Sequence, residues 1–94
     1  MNIVLSEPAA EQLQALLDYL EVEWSQRVQD GFLLKLERSF IALRQFPRAF
    51  PKSEKFPGLH KCVITAQCSA YYRVYEEEIQ IIAFFDNRMD LPTI

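Results

Sequence analysis

Glycine is nearly absent from this chain, with two among 94 residues, and proline occurs only five times. That composition excludes collagen-like and low-complexity classes. Histidine occurs once, at His60, and cysteine twice, at Cys62 and Cys68. A metal site built on imidazole and thiolate would have hardly any ligands to draw on, and none is expected. No glycine-rich phosphate loop and no glycine-flanked serine is present, so the usual nucleotide-binding and hydrolase signatures are missing and no cofactor is implied. The longest unbroken apolar run is the five residues Ile81–Phe85, far short of the roughly 20 needed to cross a bilayer. Nor does the chain begin with the basic stretch and long apolar core of a secretory leader. The expectation is a cytoplasmic protein without membrane contact, its thiols reduced and partly buried. The spacing of Cys62 and Cys68 would also let them face each other across a hairpin.

What is present is apolar and aromatic. Half of the residues are apolar and 13% are aromatic, enough for a core without disulfide or metal staples. The length suits one domain, residues 1–94, rather than two. Charge is unevenly spread. Between Arg38 and Tyr75 lie seven basic residues (Arg38, Arg44, Arg48, Lys52, Lys55, Lys61, Arg73) and one acid, Glu54, a net +6. The rest of the chain carries three basic and twelve acidic residues, a net −9, so the whole is −3. A basic middle between acidic ends leaves a face for an anionic partner, or else simply solvates a polar loop.

Along the chain, Asn2–Leu5 is long enough for one strand. Ser6 followed by Pro8 is a helix start, a hydroxyl to cap free N–H groups and a ring tolerated in the first turn. Ala9, Leu13, Leu16, Leu17, Leu20 and Trp24 then recur every three or four residues, opposite Glu11, Gln12, Gln14, Asp18 and Glu21. This spacing predicts an amphipathic helix. Ser25 can cap a second, striped by Val28, Phe32, Leu36, Phe40 and Leu43 and ended by Pro47. Gly31 inside it suggests a break or a close helix crossing. Phe-Pro then occurs three times, at Phe46-Pro47, Phe50-Pro51 and Phe56-Pro57. Each proline drives its predecessor toward extended geometry, so this segment is an ordered loop pinned by phenylalanines with Arg48, Lys52 and Lys55 outside.

After Gly58 the period changes to two, and Leu59–Ile64, Ser69–Tyr75 and Ile79–Phe85 read as strands. Their links are too short for crossovers, so they form an antiparallel meander. Glu76-Glu77-Glu78 makes the second turn, and its charge discourages edge pairing. Alternation puts Tyr71, Arg73 and Tyr75 on one face, expected to be the open one, and Ala70, Tyr72 and Val74 on the other. Arg73 can pair with Asp86 or Glu78 on the neighbouring strand. The expected fold is α+β, in the order β-α-α-β-β-β: an N-terminal helical hairpin packed on a four-stranded, mostly antiparallel sheet.

That order resembles the RelE/ParE superfamily of toxins from bacterial toxin–antitoxin pairs over nearly the full length. The echoes are Leu43-Arg44-Gln45-Phe46-Pro47, Gly58-Leu59-His60-Lys61, Tyr72-Arg73-Val74-Tyr75, and Ile79 to Phe85 leading into Asp86-Asn87-Arg88-Met89-Asp90. The resemblance implies a cognate antitoxin partner whose disordered tail folds over exposed apolar surface, with Leu13, Leu17, Leu20 and Trp24 as candidate contacts. It also implies one of two activities. RelE-like members cut messenger RNA on the ribosome, and ParE-like members poison DNA gyrase by protein contact. Cutting RNA needs a base, an acid and cations on the phosphate. Lys61, Arg73 and Arg88 can supply the cations, with His60 the candidate for proton transfer. Yet His60 stands where relatives carry arginine, no tyrosine follows Arg88, and an acidic protein suits a ribosomal surface poorly. The Asp-Asn-Arg-x-Asp ending is similar to the ParE branch. The favoured expectation is therefore a gyrase-directed toxin without catalytic residues, its target-binding surface made of Lys52, Lys55, Lys61, Arg73 and Arg88. The alternatives are a RelE-like endonuclease acting on ribosome and mRNA, and a non-toxic protein-binding module of the same fold.

Overall fold

The structure is a computed structural model and describes residues 1–86. Its elements are β1 (Asn2–Leu5), α1 (Glu7–Glu23), α2 (Gln26–Gln45), β2 (His60–Val63), β3 (Cys68–Tyr75) and β4 (Glu78–Asp86). Both helix starts are capped as the sequence indicates. Ser6 Oγ accepts from the Ala9 N–H at 3.1 Å and Ser25 Oγ accepts from the Val28 N–H at 3.1 Å. Each bond satisfies a donor that the first turn leaves without an intrahelical partner. Ser6 does more than cap, because its hydroxyl also donates to the Ile82 carbonyl at 2.8 Å. The start of α1 is thereby fastened to β4.

Gly31 does not break α2, which is continuous through it. Nor does it mark a close crossing, since a methyl group added there would meet no atom within 4 Å. The expectation of a break or crossing is thus corrected. Gly31→Ala is expected to stabilise the protein by about 1 kcal/mol, the helix-propensity difference, seen as a higher urea midpoint at an unchanged slope.

The four strands form one sheet in the order β1-β4-β3-β2. β1 runs parallel to β4, while β2 with β3 and β3 with β4 are antiparallel. The helical hairpin covers one face. Ala9, Phe32, Leu36 and Leu43 from the helices meet Cys62, Ala70, Tyr72, Ile79, Ile81 and Phe84 from the strands in a single core. Its phase is set by an irregularity. Tyr71 pairs with Ala83 but Tyr72 pairs with Ile81, so Ile82 is an extra residue on β4. Such a bulge shifts the alternation, turning Phe84 toward the helices and Phe85 to the opposite face.

The Phe-Pro loop wraps the β2 edge like a strap. Ser53 N–H donates to the Leu59 carbonyl at 2.7 Å and Lys61 N–H to the Pro51 carbonyl at 2.9 Å. On the helix side Phe50 stands edge-on to Tyr72, 6.3 Å between centroids. On the far side Phe56 stands edge-on to Tyr71 at 4.7 Å. Two adjacent tyrosines, pointing to opposite faces, are each held by a phenylalanine of one loop. The strap also occupies backbone groups that would otherwise leave this edge open to pairing. The phenylalanines anchor the loop unequally, since Phe46 is 62% exposed.

Candidate functional site

The sheet face away from the helices is the place to look for function, because β3 and β4 project their polar residues there. Lys61 lies opposite Tyr71 in the β2–β3 register, and Arg73 is two residues further along the same face. Lys55 joins them from the strap, its Nζ 3.9 Å from the Phe85 ring centroid, a short cation–π contact. Three of the expected target-binding cations therefore share one face. Lys52 does not. It bridges to His60 on the β2 edge, and directly opposed residues of an antiparallel pair point to the same side. His60 stacks on Tyr72, 5.2 Å between centroids at 21°, and Tyr72 belongs to the core beneath the helices. Arg88, with the Asp-Asn-Arg-x-Asp ending beyond Asp86, lies outside the described residues.

The face is only half open. Phe56 covers Tyr71, which is 2% exposed, and packs edge-on to Phe85 at 6.3 Å. The expectation that the whole Arg73 face is open holds for the end near the 76–77 turn, where Arg73 and Tyr75 are exposed, and fails where the strap lies over Tyr71. An apolar ring has to be buried somewhere, and a loop carrying three Phe-Pro pairs can supply the cover. Arg73 bonds neither Asp86 nor Glu78. Its Nε donates to Gln80 Oε1 at 2.7 Å, directly across the strand pair, and Gln80 Nε2 donates to Glu78 Oε1 at 3.2 Å. The guanidinium lies 5.6 Å from the Tyr75 ring centroid.

His60 is occupied in a structural way. Its Nδ1 is 2.8 Å from the Phe50 carbonyl, an acceptor, so Nδ1 carries the proton and donates. Tyr72 OH donates to the Pro47 carbonyl at 2.8 Å, and burial pushes its phenol up to about 12, with Cys62 adding to the shift. Both groups tie down the strap. Cys62 and Cys68 are buried free thiols on β2 and β3. Burial raises the Cys62 thiol against a hydrogen bond with Ser39, and burial with the Asp86 charge pushes Cys68 up to about 11. Such thiols stay protonated and poorly nucleophilic at neutral pH. Among the described residues no cluster of His, Cys, Asp and Glu could hold a metal ion, and no helix is long and apolar enough to cross a membrane.

A second surface lies at the other end of the sheet. An apolar groove runs between the helical hairpin and the ends of β3 and β4, lined by Leu16, Leu20, Trp24, Val28, Phe32 and Cys68 among others. It continues past Tyr19, Phe84 and Asp86 along the flank of α1. Of the candidate antitoxin contacts, Leu20 and Trp24 line this groove, while Leu13 and Leu17 pack against the core. Trp24 is 61% exposed and Val22 77%. Leu16, Tyr19 and Val28 line it beyond the four candidates. Tyr19 lies off the apolar stripe of α1, and that is the one signal that could have marked it.

Among known proteins, a family model described as the ParE toxin of the type II toxin–antitoxin system parDE matches residues 3–91. No curated protein matches the sequence significantly. Among solved structures the chain is similar to one from the chromosomal ParDE toxin–antitoxin system of P. aeruginosa, at 25% identity and a TM-score of 0.77. That match covers 92% of this chain and 95% of the other. It is similar in fold to E. coli YafQ, at 8% identity and a TM-score of 0.63 over 97% of this chain and 98% of that one. A chain of the E. coli DinJ–YafQ complex matches over the same shares at 9% identity and a TM-score of 0.60. The β-α-α-β-β-β order is shared with these neighbours. With a toxin-family model matched over nearly its whole length and that architecture beneath it, the chain belongs to the ParE toxins of type II toxin–antitoxin systems.

Proposed function

We propose that this toxin acts by protein contact, inhibiting DNA gyrase, and that it cuts no RNA. The observation that carries this reading is the position of His60. The chain's one imidazole lies on the helix side of β2, bonded to the Phe50 carbonyl and stacked on Tyr72, whereas Lys61 and Arg73 occupy the opposite face. A nuclease would need proton transfer beside its cations. Lys55, Lys61 and Arg73, with Arg88 and the edge residue Lys52, remain the proposed target-contacting set. The test pairs two assays on purified protein. Gyrase supercoiling should be inhibited, with inhibition weakened about tenfold or more by a Lys61→Glu and Arg73→Glu double variant. Ribosome toeprints should show no A-site cleavage. Cleavage lost on changing Arg73 would establish the RelE-like alternative instead, and unimpaired growth on induction would point to a non-toxic module.

A cognate antitoxin is the proposed second partner, seated in the apolar groove. Support comes from the exposed Trp24, Val28 and Tyr19 along it and from complexes solved for relatives of the same fold, ParDE and DinJ–YafQ. Trp24 is the sole tryptophan. Its emission should shift to the blue when a cognate antitoxin is added, and Trp24→Ala should weaken that complex by about 2 kcal/mol. An unchanged spectrum in a formed complex would place the antitoxin elsewhere.

A further inference from the structure

The open half of the sheet face holds an arginine already engaged by its cross-strand neighbour. Arg73 is gripped at Nε by Gln80 Oε1, and Gln80 is gripped in turn by Glu78 Oε1. The Tyr75 ring lies within cation–π range of the guanidinium, at 5.6 Å. What remains are the two terminal amino groups, a pair of parallel donors whose spacing matches the oxygens of a carboxylate. The residue across the strand is a neutral amide rather than an acid, so among the described residues the guanidinium has no direct carboxylate partner. Lys61 adds a second cation on the same face. Val4, opposite Gln80 on β1, and Tyr75 are 41% and 55% exposed and give apolar contact on either side.

We propose that this half-face reads a carboxylate side chain of a protein partner, clamped end-on by Arg73 with Lys61 beside it. The proposal deepens the protein-contact reading above and rests on it for the class of partner. A polyphosphate fits less well. The adjoining turn and the first residue of β4 carry Glu76, Glu77 and Glu78, and the chain is net −3, a field that repels a run of phosphates more than it repels a single carboxylate. Arginine rather than lysine suits the role because a planar fork held at one nitrogen loses little further freedom when it binds.

The test uses the full chain, isotopically labelled, and observes the Arg73 Nε–H and Gln80 amide signals by NMR. The probes are a blocked alanine-rich decapeptide carrying two glutamates, its glutamine counterpart, and a single-stranded RNA decamer. The glutamate peptide should shift both signals saturably and the glutamine peptide should not. Arg73→Lys should weaken binding about fivefold or more, since it keeps charge and loses the fork. Gln80→Glu should weaken it about tenfold or more, by supplying an internal carboxylate to the guanidinium. Equal response to the two peptides, no saturable shift, wild-type binding by Gln80→Glu, or preference for the RNA would each overturn the proposal. The wild-type comparison of the two peptides stands even if a variant misfolds. Glutamate binding that persists while gyrase is unaffected would overturn the choice of target and leave the carboxylate site intact.

Discussion

Tyr72→Ala is expected to lower the free energy of unfolding by about 3–5 kcal/mol, the range for removing a large buried ring. That is a large share of the roughly 5–15 kcal/mol that holds a typical domain together. Three separate contributions meet at this residue. The ring is 0% exposed in the core between helices and sheet. Its hydroxyl donates to the Pro47 carbonyl, fixing the point where the chain leaves α2 and enters the strap. Its ring also holds Phe50 edge-on and His60 stacked. Tyr72→Phe isolates the second contribution, because it keeps the packing and leaves the carbonyl without its donor, at about 1–2 kcal/mol. Urea titrations of the three proteins measure both. A cost below about 2 kcal/mol for the alanine variant would mean that the strap closes over the cavity, as soft sites can.

Alkaline pH should unfold the protein earlier than its composition suggests. Cys68, ordinarily near 9.0, is pushed up to about 11 by burial and then by the Asp86 charge. Tyr72, ordinarily near 10.0, is pushed up to about 12 by burial and then by Cys62. Each acid therefore keeps its proton to higher pH when folded than when unfolded. The stabilisation is complete below the unfolded value and disappears as pH climbs to the folded one. For Cys68 that window is pH 9 to 11, and for Tyr72 it is pH 10 to 12. The loss is of order 2 kcal/mol for each group once both values are passed. Thermal melts between pH 8 and pH 11 should fall steeply, and Cys68→Ala should flatten the lower part of that fall whatever it does at pH 8. A variant with the wild-type slope would remove Cys68 as the cause.

The helices were legible because their information is local. Serine caps and apolar residues three or four positions apart specify a helix within a single window, and α1 and α2 begin where Ser6 and Ser25 place them. The meander was legible too, since short links permit antiparallel neighbours and little else. Its phase was not. Ile81–Phe85 is apolar throughout, and a run without alternation hides which residues face which way. The bulge at Ile82, answered by the Ser6 hydroxyl from the far end of the chain, decides that Phe84 enters the core while Phe85 lies beneath Lys55.

The candidate site divides in the same way. That Lys61 and Arg73 share a face follows from counting by twos along β3 and pairing it with β2. That His60 sits on the other side follows from the same count, but that Lys52 goes with it depends on the strap folding back over the β2 edge. No local spacing encodes that return. Gln80, which aims Arg73, and Leu16 and Tyr19, which help to form the groove, likewise acquire their roles from neighbours brought in by β4 or by the sheet's end. The sequence alone determined the elements and their order, because periodicity, caps and turns act over a few residues. Tertiary structure decided which side chains meet, because bulges, straps and cross-strand partners are fixed by burying rings and pairing backbone groups across long stretches of chain.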